Sequence, residues 1–121
     1  MKFFYKKILP LLVVSMPLFL NASVGGSGWT MVEEDGDAKI IIFNKNGKFA
    51  YLNVRNNSGN QGVVFADRET WLIEYNKLII SFSNGYKLCS ADYYSLRKNL
   101  SGTCINKVGL VEQFQLQKIN I

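Results

Sequence analysis

From residue 29 onward the chain alternates between short apolar stretches and clusters of turn-forming residues. The stretches are 29–33, 38–43, 48–54, 62–66, 70–75, 78–83, 86–90, 100–105 and 110–119, rich in Ile, Val, Phe, Tyr and Trp. Between them stand turn sequences such as Asp35-Gly36-Asp37, Lys45-Asn46-Gly47, Asn76-Lys77, Ser83-Asn84-Gly85 and Arg97-Lys98-Asn99. Short runs with this punctuation predict an all-β sandwich or barrel. Several runs have a period of two. Leu78, Ile80 and Phe82 share one face, with Ile79, Ser81 and Ser83 opposite; Leu110, Phe114 and Leu116 oppose Gln113, Gln115 and Gln117. That period places one face in the core and the other in water. No window predicts a long amphipathic helix, and beyond residue 17 no proline demotes a strand.

Connections this short join antiparallel neighbours, so the runs read as an up-and-down meander. With 62–66 taken as a bulged entry into the next strand, about eight strands remain. Closing the meander removes its unpaired edges. The expected fold is therefore a single antiparallel up-and-down barrel, all-β, with one disulfide.

The first 22 residues follow a different rule. Lys2, Lys6 and Lys7 precede an uncharged run over 8–20, and Leu20-Asn21-Ala22 closes it with a small residue. This is the pattern of a cleavable secretory signal. Thirteen apolar residues are too few to span a bilayer, which takes about 20. The expected organisation is a signal peptide over 1–22 and one β-barrel domain over 23–121. The destination is the periplasm or the outside, with no stable membrane span after cleavage. Cleavage leaves eleven basic against nine acidic residues, a surplus of two. No basic cluster beyond Arg97-Lys98 remains, so nucleic acid is not an expected partner.

Cys89 and Cys104 are the only cysteines. In an exported chain an isolated pair reads as a disulfide, with Cα atoms about 4.4–6.8 Å apart. Its midpoint falls beside the turn at Arg97, so the two cysteines sit on paired strands. A redox or metal pair is the alternative, opposed by the wide spacing and the absence of histidine.

The order of short motifs resembles the small bacterial lipocalin-like barrels of the calycin group. Gly28-Trp29 opens the first strand, and Trp71 opens a strand followed by Asn76-Lys77-Leu78 and Phe82-Ser83-Asn84-Gly85. Ser101-Gly102-Thr103 and Gly109 precede the last strand at Phe114-Gln115-Leu116. The resemblance implies an eight-stranded antiparallel barrel with a ligand or partner at its open end. It also implies that Trp29 plugs the closed end where the first and last strands meet. Two positions depart from the family pattern. Ser27 stands where the start motif has Gly, and Lys118 is the nearest cation where the last strand ends on Arg.

Candidate chemistry is sparse. Without histidine there is no Ser-His-Asp or Cys-His arrangement, and the chain also has no G-x-S-x-G elbow and no P-loop. The chain is read as no enzyme, with no cofactor and no metal. Glu33, Glu34, Asp35 and Asp37 offer oxygen ligands, but they lack the spacing of a calcium loop and read as a solvated turn. Glu112 shares the face of Phe114 and Leu116. Either it points into the barrel or its rim, or a bulge near Gly109 turns it outward. The candidate ligand site is Trp71, Phe82, Glu112 and Phe114, for a small apolar or amphipathic ligand. Tyr93 and Tyr94, near a loop inside the cysteine hairpin, are the candidate contacts for a protein partner. The leading expectation is a non-catalytic exported binding protein; the alternative is an inhibitor of an extracytoplasmic hydrolase acting through its loops.

Overall fold

The computed structural model describes residues 24–55, 63–64 and 68–120; the signal segment expected over 1–22 lies outside them. Among these described residues nine strands form one antiparallel sheet: β1 (Gly28–Glu33), β2 (Ala38–Phe43), β3 (Phe49–Arg55), β4 (Val63–Val64), β5 (Thr70–Glu74), β6 (Lys77–Phe82), β7 (Lys87–Asp92), β8 (Asn99–Asn106) and β9 (Val111–Lys118). β4 has only two residues, so eight strands carry the architecture. The spatial order is β4-β3-β2-β1-β9-β8-β7-β6-β5. Every neighbouring pair except β1–β9 is consecutive in sequence, and β1–β9 joins first strand to last, with Trp29 opposite Lys118. This is the expected up-and-down meander, curled into a barrel.

The seam lies between β3 and β5. There Lys48 and Thr70 form an isolated bridge. The Phe49 amide donates to the Glu69 carbonyl at 3.1 Å, and the Trp71 amide to the Gly47 carbonyl at 2.9 Å. The Trp71 indole also donates to the carbonyls of Asn44 and Lys48. Trp71 therefore fastens the seam, and its indole edges onto Phe43 with centroids 5.6 Å apart.

Inward-facing residues alternate along each strand, as a half-buried pleat requires. Trp29, Met31, Ile41, Phe43, Phe49, Leu78, Ile80, Phe114 and Leu116 are buried and fill the interior. Rings pack edge to face, as between Phe49 and Phe82 at 5.1 Å. Among the described residues no helix is long and apolar enough to cross a membrane.

Cys89 and Cys104 are directly opposed across β7 and β8 and are bonded, in keeping with an oxidising compartment. Their Cα atoms are 3.9 Å apart, closer than expected from the general range. Directly opposed residues at a narrow position of an antiparallel ladder already approach to about 4.5 Å.

The two ends of the barrel differ. One end is built from the turns at 34–37, 83–86 and 107–110. The other holds the turns at 44–48, 75–76 and 93–98 and the entry at 24–27. This second end is closed. The Ser27 hydroxyl donates to the Val24 carbonyl at 2.5 Å and accepts from the Trp29 indole at 2.8 Å. Gly26 donates to the Phe43 carbonyl, and Phe43 to that of Ser27. Val24 and Trp29 are both fully packed there.

Candidate functional site

The inward stripes change character along the barrel. From closed end to mouth they read Trp29-Met31-Glu33 on β1, Phe43-Ile41-Lys39 on β2 and Phe49-Tyr51-Asn53 on β3. On the far side they read Ala91-Cys89-Lys87 on β7 and Leu116-Phe114-Glu112 on β9. Each starts apolar and ends polar. The polar ends converge on a cavity of about 390 Å³ at the mouth, an ordinary size for a small-molecule site.

Glu33 forms the floor and is 3 % exposed. One carboxylate oxygen takes the Lys39 ammonium at 2.5 Å and the other takes Lys87. Burial works to raise the Glu33 pKa. The charges and hydrogen bonds of Lys39 and then Lys87 outweigh it and hold the carboxyl below its ordinary range. Lys39 is itself buried, with its ammonium 5.7 Å from the Tyr51 centroid and 5.4 Å from that of Phe82. Lys87 lies 4.8 Å from the Phe82 centroid. The aromatic walls are thus occupied by the chain's own cations. Burial, followed by the charges of Glu69 and Glu33, also raises the Tyr51 hydroxyl above its usual range.

Glu112 lies at the rim, half-buried, on the same cavity wall as Tyr86 and Leu110. The ladder from Ile105–Val111 to Asn99–Gln117 runs without a bulge, so nothing turns Glu112 outward. Desolvation, then the charges of Asp35 and Glu33, push its pKa up, with Lys87 partly opposing them. Asp35 and Asp37 line the same mouth. With the two lysines drawn onto Glu33, the remaining rim is acidic.

The four expected ligand residues do not stay together. Phe82 and Glu112 line the mouth. Trp71 is buried at the seam towards the closed end, because its indole satisfies the carbonyls of the 44–48 turn. Phe114 is buried beneath Gly102, its partner on β8. Leu110, expected on the buried face, is exposed at the rim. Tyr93 is also buried, which removes it from any contact surface, whereas Tyr94 is exposed with the Arg97 guanidinium 5.2 Å from its ring.

The sequence pattern places Glu33 in a solvated acidic turn, but it is the last inward position of β1. Lys39, Tyr51 and Lys87 also belong to the site, and no motif in the sequence marks them. The signal was present in the period of two: continuing Trp29-Met31 by one step reaches Glu33, and continuing Phe43-Ile41 backward reaches Lys39.

No protein-family model matches this chain, and no characterised sequence or solved structure does either.

Proposed function

We propose that the protein is an exported, non-catalytic, lipocalin-like binding protein. It takes a small amphipathic ligand at the barrel mouth, with a cationic or hydrogen-bond-donating group at Glu112. The mouth cavity carries this reading. It has ring and aliphatic walls from Tyr86 and Leu110 at the rim, and a rim carboxylate whose neighbours disfavour its charge. An incoming cation relieves that repulsion, whereas an anion adds to it.

Octylamine and octanoate are matched probes, with one chain and opposite heads. Octylamine is expected to raise the melting temperature of the purified protein, and octanoate is not. Glu112→Gln is expected to weaken the octylamine effect without loss of fold. Equal responses to the two probes, or none to octylamine, would overturn the reading. The alternative reading, a hydrolase inhibitor acting through loops, retains Tyr94 at an exposed turn. It predicts a protein complex sensitive to Tyr94→Ala and indifferent to Glu112→Gln.

A further inference from the structure

The closed end, opposite the mouth, carries the two most exposed apolar side chains among the described residues, Leu96 and Tyr75, with Tyr94 beside them. Tyr75 is 93 % exposed, Leu96 94 % and Tyr94 52 %. They stand on two neighbouring turns, fastened by the Tyr93 amide donating to the Asn76 carbonyl at 2.8 Å. Tyr75 and Asn76 form the two-residue turn between β5 and β6, with φ of 51° and 61°. Such a turn favours Asn-Gly, and a bulky residue at positive φ is strained. An aromatic ring is therefore held in solvent at a position where the turn itself favours a small residue. Local rules broken without a folding gain mark functional positions.

The same end is basic. Its turns and strand ends carry Lys45, Lys48, Lys77, Arg97, Lys98 and Lys118 against Glu74 and Asp92, a surplus of four positive charges. Lys77 and Asp92 pair with each other at 2.5 Å. Lys98 and Lys118 are adjacent, since the Lys118 amide donates to the Lys98 carbonyl.

We propose that the closed end docks on an anionic lipid surface. Tyr75, Tyr94 and Leu96 enter the headgroup region, and the basic residues around them meet the lipid phosphates. Amphipathic rings settle at that depth, and juxtaposed lysines add attraction to anionic lipid. The shape favours lipid over an acidic protein. The apolar groups are crests at turn tips, whereas protein hot spots sit in packed, desolvated clusters. Docked this way, the mouth points into solution, where it remains free to take a ligand.

The test is sedimentation of the purified protein, in the form its host accumulates, with vesicles. Vesicles of mixed phosphatidylcholine and phosphatidylglycerol are expected to bind it, and pure phosphatidylcholine vesicles are not. Lys98→Gln is expected to weaken partition about fivefold. Tyr75→Ser with Leu96→Ser is expected to weaken it by roughly tenfold or more. These side chains are exposed, so unchanged melting of the variants separates lost docking from lost fold. Failure of the protein to sediment with mixed vesicles would overturn the proposal. So would a Tyr75→Ser, Leu96→Ser variant that sediments like the parent, because charge alone would then suffice, as it would for an acidic protein.

Discussion

Glu33 and Lys87, fifty-four positions apart in the chain, form an ion pair across the barrel mouth. Neither residue is explained by its own strand. The end of β1 and the start of β7 are brought together only by the curl of the sheet. Lys39, on the neighbouring strand, completes the set on the second oxygen. A single buried carboxylate thereby compensates two ammonium groups in the part of the interior that is not apolar.

Removing that carboxylate strands the cations. Glu33→Gln is expected to lower stability by about 3 kcal/mol, the lower end of the range for breaking a buried pair, because Lys87 still reaches water. Lys87→Met should cost less, since Lys39 continues to neutralise Glu33. Urea denaturation of both variants tests the order. A Glu33→Gln protein as stable as the parent would show that the pair is not a structural element.

Two of the mouth carboxyls, Glu33 and Glu112, respond oppositely to acid. The folded pKa of Glu33 lies below its ordinary 4.5, so its contribution is fully present above that value and is lost as pH falls through the lower folded one. The folded pKa of Glu112 is raised, so its contribution favours the folded state below 4.5 and is lost as pH rises through the folded value. Glu33→Gln is expected to flatten the acid side of the stability curve. Glu112→Gln is expected to raise the melting temperature near neutrality, by no more than roughly 1 kcal/mol of stability, and not in strong acid. A Glu112→Gln effect that is the same at both pH values would contradict this assignment.

The sequence makes the strands, their antiparallel order and the disulfide legible, because each follows from a local pattern. Alternation in 78–83 identifies an inward face, and Asn76-Lys77 and Ser83-Asn84-Gly85 mark where it ends. The mouth is less legible because it depends on which strand ends coincide. Glu33 looks like the start of an acidic turn until β2 places Lys39 beside it and the closed circle brings in Lys87. Trp71 and Phe114 show the opposite error. Their size and apolarity suit a ligand pocket equally well, and only the seam at 44–48 and the close approach of Gly102 assign them to the core.

Gly102 makes that close approach measurable. It occupies an inward position on β8 between Leu100 and Cys104, opposite Phe114. A Cβ there would lie 2.0 Å from the Ser90 carbonyl oxygen and 2.8 Å from the Phe114 ring. The ring can turn, but the Ser90 carbonyl belongs to the β7 ladder and cannot move without breaking it. Gly102→Ala is expected to destabilise by about 3 kcal/mol, the upper part of the usual overpacking range. Adding Phe114→Leu should recover little, because the closer contact is with backbone. Substantial rescue by Phe114→Leu in thermal denaturation would show that the ring, not the ladder, sets the limit.

At the closed end, Ser27 and Trp29 form a buried hydrogen bond whose contribution can be weighed by substitution. Glycine at position 27 would offer no hydroxyl. Serine accepts the Trp29 indole at 2.8 Å and donates to the Val24 carbonyl, so the polar groups of a fully packed corner are paired. Ser27→Ala leaves the indole N–H buried and without its acceptor, and is expected to cost about 1–3 kcal/mol. Trp29→Phe removes the donor but also leaves a small void. In the double variant the lost hydrogen bond is counted once, so its cost should fall short of the sum of the single costs by about 1 kcal/mol. Measured by urea denaturation of the four proteins, strict additivity would mean that the two groups act independently. Ser27 would then not be the residue that holds the tryptophan in place.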